Sequence, residues 1–136
     1  KKLIRLKITM EYRKLGRSGL EVSVIAYGDW KVQDNEENQK KTNEIVNKCF
    51  EVGINYFDTA ENYGNGQHEI LLGRALKQSG KKREDYVVST KVFFGTGQKN
   101  PNDTGNARKK LIEGVNASLK TLCTLIDMMM TFRLRK

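Results

Sequence analysis

Asn55-Tyr56-Phe57-Asp58-Thr59-Ala60-Glu61-Asn62-Tyr63-Gly64, read together with Ser89-Thr90-Lys91, decides how this chain is understood. Asp58 closes the apolar run that starts at Ile54. Tyr63 follows five residues later, and Lys91 closes the next apolar run. A phenol beside an ammonium, with a carboxylate to hold the ammonium, is a proton donor suited to a carbonyl oxygen. Any one of these residues alone is more often a core or surface side chain. All three at strand ends reverse that weighting.

Working outward, the chain alternates short apolar strands with amphipathic helices. Tyr12 to Val24 holds two strand-like pieces around Gly16-Arg17-Ser18-Gly19, a hairpin signal. The run from Val22 to Ala26 then leads to Gly28-Asp29-Trp30. A polar segment, 33–37, opens a helix with Asp34 or Asn35 as its N-cap and Glu36 and Glu37 in its first turn. Ile45, Val46, Cys49 and Phe50 recur at helical spacing, and Gly53 supplies the stop. After the strand at 54–57, a second helix is expected over about 67–78, with Ile70, Leu71, Ala75 and Leu76 inward and Gly80 past its end.

A strand at 86–90 and a glycine-rich loop containing Pro101 come next. A third helix over about 106–122 carries Leu111, Ile112, Val115, Leu119 and Leu122, and Leu125 to Met130 reads as another buried strand. Strands that are apolar throughout rather than alternating imply a parallel sheet covered by helices, an α/β fold. Gly28, Asp58 and Lys91 fall at successive strand C-termini; 30 residues separate the first two and 33 the last two. Such gathering suits a (β/α)8 barrel or a doubly wound sheet. The barrel is favoured, because Gly64-Asn65-Gly66 places Glu69 where a dinucleotide-binding turn needs its third glycine.

The 136 residues bound the chain to one domain, and no apolar run reaches the length of a membrane span. Met10 reads as a natural start, with 1–9 as an N-terminal extension that lacks the pattern of a signal peptide. Cys49 and Cys123 have no metal-ligand spacing and read as reduced thiols of a cytoplasmic protein. The net charge of +9 invites a nucleic-acid reading. The basic residues are dispersed, however. Lys81, Lys82, Arg83, Arg108, Lys109 and Lys110 fall at loops or on polar helix faces, where solvated charge is the expectation. No nucleic-acid partner is expected.

From Met10 to Lys120 the chain resembles the aldo-keto reductase superfamily, and within it the beta subunits of voltage-gated potassium channels. The likeness rests on Tyr12-Arg13-Lys14-Leu15-Gly16-Arg17-Ser18-Gly19-Leu20, Gly53 to Ala60, Leu72-Gly73 and Thr90 to Gly95. Arg108 to Val115, with Ala117-Ser118-Leu119, resembles the channel-subunit branch in particular. The resemblance implies the N-terminal half of a (β/α)8 TIM barrel whose bottom is plugged by an N-terminal β-hairpin. It further implies NADP as cofactor and a small carbonyl compound as substrate. Asp58, Tyr63 and Lys91 would match the catalytic Asp, Tyr and Lys, with Tyr63 the proton donor. Gly28, Asp29, Trp30, Gln33 and Asp58 would contact the cofactor.

Two departures stand out. Asp29 occupies a position where the family usually has Thr, and a carboxylate there repels a polyphosphate unless it points away. Phe132-Arg133 stands where the family has His or Asn before Arg, and phenylalanine cannot donate a hydrogen bond to a carbonyl. His68, the sole histidine, is expected to be a solvated residue at a helix start. Met128 to Met130 reads as core strand. A barrel of this kind takes about 250 residues, so residues 10–136 are expected to be a truncated reductase domain, poorly soluble and inactive alone. The second reading is a regulatory subunit that binds the cytoplasmic domain of a potassium channel alpha subunit, homo-oligomeric at full length.

Overall fold

The computed structural model describes residues 9–28, 30–97 and 100–123. Two strands, β1 (Tyr12–Lys14) and β2 (Glu21–Ser23), form an antiparallel hairpin. Strands β3 (Tyr27–Gly28), β4 (Tyr56–Asp58) and β5 (Val87–Ser89) form a separate parallel sheet in that order. Helices α1 (Glu36–Glu51), α2 (Gln67–Gln78) and α3 (Arg108–Cys123) connect or follow them. Hairpin and first barrel strand are thus distinct, with residues 24–26 breaking the apolar run between them.

Helix α1 starts where its capping chemistry starts. Asn35 Oδ1 accepts a hydrogen bond from the Asn38 amide at 2.8 Å, and Glu36 and Glu37 lie in the first turn against the helix dipole. It ends at Gly53, whose φ of +89° lets the Ile54 amide return to the Cys49 carbonyl at 2.8 Å. Gly53 is needed twice: a Cβ there would lie 2.9 Å from both Met10 Cβ and Tyr12 Oη. Helix α2 has the expected bounds and buries Leu71, Leu72, Ala75 and Leu76.

Strand alternation sends Phe57 to the helix side of the sheet. There it joins Val46, Cys49, Leu72, Ala75, Leu76 and Tyr86 in the main core. Its ring lies 5.1 Å from Phe50 and 6.1 Å from both Tyr27 and Tyr86, in tilted and edge-on arrangements that favour aromatic packing. Tyr56 and Asp58 consequently face the other side of the sheet.

The hairpin sits at the opposite end of the strands from Asp58. Tyr12 Oη donates to the Gly53 carbonyl at 2.6 Å. Asn55, just before β4, accepts from the Ser23 amide at 2.8 Å and donates to the Glu21 carbonyl at 3.0 Å.

Helix α3 corrects part of the expected face, since Leu122 is buried and Leu119 half-buried but the first three apolar positions are not. Leu111, Ile112 and Val115 remain 38–40% exposed, while Lys110, Gly114, Ser118 and Leu122 are buried. Gly114 causes this. A Cβ there would come within 3.0 Å of Glu61 Oε2 and collide with Val92, so the helix approaches along its small-residue side. The expected strand over 125–130, and the Phe132-Arg133 pair, lie outside the described residues.

Candidate active site

Strand register aligns the site. Gly28 pairs with Asp58, and Asp58 with Ser89, so three strand ends stand side by side. Pairing continues past them: the Thr59 amide donates to the Ser89 carbonyl at 2.9 Å and the Glu61 amide to the Lys91 carbonyl at 3.1 Å. Lys91 is thereby aimed back across the strand ends at Asp58.

The three residues singled out from sequence do come together. Lys91 Nζ lies 2.5 Å from Asp58 Oδ2 and donates to the Thr59 carbonyl at 2.8 Å. The other carboxylate oxygen of Asp58 accepts from Ser89 Oγ at 2.5 Å. The same ammonium stands 5.3 Å from the centre of the Tyr63 ring, within range of a cation–π attraction. Lys91 and Asp58 keep 52% and 34% of their side-chain surface accessible, so the group is reachable from solvent.

Tyr63 heads a tight turn, Tyr63–Gly66, in which Gly64, Asn65 and Gly66 all take positive φ. Asn65 (φ +55°) is the only non-glycine with positive φ among the described residues, and asparagine tolerates that region better than most residues. This turn delivers the chain into α2.

Between Asp58 and Tyr63 lies a residue that sequence reading passed over. Glu61 is buried, and its Oε1 accepts from the amides of Phe93 and Gly95 at 2.8 and 2.9 Å. Its Oε2 pairs with Lys110 Nζ at 2.8 Å, and Lys110 also reaches Asp103 Oδ1 at 2.8 Å. Lys110 is therefore no solvated helix-face charge, which corrects the expectation for it. Burial opposes its charge, but the hydrogen bonds it donates to Asp103 and Glu61 outweigh that and leave its pKa raised. The Lys110 hydrogen bond holds the Asp103 carboxyl below its ordinary range, against a smaller effect of burial. The stripe of Lys110, Gly114 and Ser118 at four-residue spacing was the available signal.

His68 is the second correction. It is fully buried, and its Nε2 accepts from the Val32 amide at 2.9 Å. Its ring meets that of Tyr63 edge-on with centres 6.1 Å apart. Position at a helix start pointed to solvent; the turn before α2 instead folds the imidazole inward. Neighbouring Glu69 is also buried and accepts from Thr90 Oγ1 at 2.7 Å, tying α2 to the end of β5.

The expected cofactor contacts are partly gathered. Gly28 stands in register beside Asp58, with only the Asp58 carbonyl (3.7 Å) near the place of a Cβ among the described residues. Trp30 is exposed, with the Lys31 ammonium 4.5 Å over its ring. The Gln33 carbonyl accepts from Asn38 Nδ2 at 2.9 Å, which places it in the capping turn of α1. Asp29 lies outside the described residues. Cys49 is buried away from this cluster in the helix-side core, and burial pushes its thiol pKa up.

Residues 24–131 match the aldo/keto reductase family. The chain belongs to that family. It is 48% identical over 124 residues to a putative voltage-gated potassium channel subunit beta of Schizosaccharomyces pombe, covering 90% of this chain and 36% of that protein. It is 46% identical over 113 residues to a probable channel subunit beta of Oryza sativa subsp. japonica, covering 83% and 34%. The chain thus spans about a third of the length of these curated relatives.

Among solved structures, the holo form of aldo-keto reductase AKR11C1 from Bacillus halodurans superposes with a TM-score of 0.66 at 33% identity. The match covers 83% of this chain and 36% of that one. The thermostable aldo-keto reductase Tm1743 gives a TM-score of 0.63 at 26% identity, over 83% and 39%. The fold is the N-terminal half of a (β/α)8 barrel with its preceding hairpin, as the sequence implied.

Proposed function

We propose that this chain carries the proton-donating part of an NADP-dependent aldo-keto reductase site that reduces aldehydes or ketones. The observation that carries the reading is one ammonium, Lys91, bonded to Asp58 and set against the Tyr63 ring. Family membership and a holo structural neighbour support a nicotinamide cofactor in general. The residues present fit its nicotinamide end: a glycine at the sheet mouth, an exposed indole at Trp30 and an accessible ammonium. Gly28, Trp30, Gln33 and Asp58 would hold the cofactor, and Asp29 is carried as a contact by the family resemblance alone. A reduced nicotinamide bound there would supply the hydride. Tyr63 holds the proton on its phenol and passes it to the carbonyl oxygen. Lys91 stabilises the phenolate left behind, and Asp58, fixed by Ser89, holds Lys91 in place.

Residues 10–136 are read as part of one reductase domain of a cytoplasmic protein, and 1–9 as an extension. Because the chain spans about a third of its relatives, turnover is assigned to the whole domain. Residues 1–136 alone are expected to show no aldehyde-dependent NADPH oxidation. The test is a hybrid in which residues 10–120 replace the matching part of the Bacillus halodurans reductase. A folded hybrid should reduce an aromatic aldehyde, and Tyr63→Phe should cut its kcat/KM by about 10²-fold or more. A folded hybrid without reductase activity would sink the reading.

A second reading, a regulatory subunit for a potassium channel, has support of its own: the relatives at 46–48% identity carry that name. Co-purification with a channel's cytoplasmic tetramerisation domain would support it, and failure of a full-length protein to do so would remove it.

A further inference from the structure

His68 touches both halves of the site at once. Its Nε2 takes the Val32 amide at 2.9 Å, in the segment that leaves β3 through Trp30. Its ring edge meets Tyr63, and Gly64 lies so close that a Cβ there would be 2.6 Å from His68 Cδ2. The imidazole is fully buried at the base of α2, so it is a built contact rather than a surface encounter.

We propose that His68 is a positioning residue, locking segment 30–32 and the Tyr63 ring into one fixed relation. The inference rests on Tyr63 being the proton donor and on 30–32 bordering the nicotinamide. Its chemistry is specific. An imidazole that accepts at Nε2 carries its proton on Nδ1, so a single tautomer holds the clamp. A phenylalanine would offer the ring edge alone and a glutamine the acceptor alone. Proton donor and hydride donor must sit within a few tenths of an ångström of productive geometry, and ring and backbone held by one rigid group satisfy that requirement.

Two substitutions separate the two contacts. His68→Phe keeps a ring edge and loses the acceptor; His68→Gln keeps an acceptor and loses the ring. Nuclear magnetic resonance on residues 1–136 reads both. In the unaltered chain, long-range nitrogen–proton correlations should show His68 protonated at Nδ1 and bare at Nε2, with a slowly exchanging Val32 amide. His68→Phe should speed Val32 exchange about tenfold, the loss of one hydrogen bond, while leaving the Tyr63 ring signals near their original shifts. His68→Gln should do the reverse.

A proton on Nε2 at neutral pH, or a rapidly exchanging Val32 amide in the unaltered chain, would overturn the clamp without recourse to any variant. So would variants that move both signals equally. Adding NADP+ to the folded hybrid that carries residues 10–120, with the same signals followed, tests the underlying reading separately. Shifts at Trp30 and Val32 would support cofactor binding there. Their absence, with the clamp signals intact, would count against the cofactor reading and leave the Val32–His68–Tyr63 contact standing.

Discussion

Two ammonium–carboxylate clusters take their carboxylates from positions three residues apart, Asp58 and Glu61, and they differ in almost everything except chemistry. Lys91 and Asp58 stand at the open end of the sheet, about half and a third accessible. Lys110 and Glu61 retain only 4% each, while Asp103, the second partner of Lys110, keeps 24%. The first pair leaves its charges where a ligand can meet them. The second is fully enclosed and joins three pieces of chain: the turn after β4, the loop after β5, and α3. Burial, rather than residue type, separates a group available for chemistry from one that fastens the scaffold. Glu61 sits three residues from Asp58 and two from Tyr63, so the enclosed cluster also holds the turn that carries Tyr63 in place.

The contrast is broken most directly at Lys110. Lys110→Met removes one partner of a buried pair and leaves the Glu61 carboxylate with only the Phe93 and Gly95 amides. A loss of about 3 kcal/mol in unfolding free energy is expected. The double variant Glu61→Gln with Lys110→Met should recover part of it. Denaturant titration of all three chains measures this. A loss below about 1 kcal/mol, typical of an exposed pair, would erase the distinction between the clusters.

A smaller effect concerns acid. Asp103 is held below the ordinary carboxylate range in the folded chain, chiefly by the Lys110 hydrogen bond. Its contribution is therefore present above the unfolded carboxylate pKa of about 4 and is lost as pH falls through the folded value. Stability of the unaltered chain should drop across that acid window. Asp103→Asn should flatten the drop, by roughly 1.5 kcal/mol for one hydrogen bond to a charged group. Lys110 has the opposite sign, with a raised pKa. Its contribution is complete below the ordinary lysine range and is lost as pH rises through the folded value. Parallel acid profiles for both chains would show that Asp103 contributes nothing through ionisation.

Most of the fold was legible because its signals are local. Asn35 caps α1 through a side chain three residues from its partner, and Gly53 and Gly80 stop their helices through positive φ. Strand ends expected at Gly28, Asp58 and Lys91 fall at Gly28, Asp58 and Ser89, close enough for the Asp58–Tyr63–Lys91 grouping to follow from them. What escaped was decided by long-range packing. The inward turn of His68 depends on Val32, 36 residues earlier. The face that α3 buries depends on Gly114 meeting Val92 and Glu61, so the apolar period of Leu111, Ile112 and Val115 marks a side left exposed among the described residues. Periodicity reports which residues are apolar; it does not report which neighbour arrives first.

The smallest stability effect sharpens the contrast best. Lys91→Met breaks the open pair, and because both groups face solvent the loss should stay below about 1 kcal/mol. Salt should shrink it further, since exposed charges are screened while enclosed ones are not. The same substitution in the folded hybrid should nonetheless depress aldehyde reduction by about 10²-fold or more, because the phenolate of Tyr63 loses its stabilising cation. Small stability loss with large activity loss marks a group whose work is chemical. If Lys91→Met instead destabilises the chain as strongly as Lys110→Met, the open pair is itself a fastening, and the accessible end of the sheet loses its claim to be a reaction site.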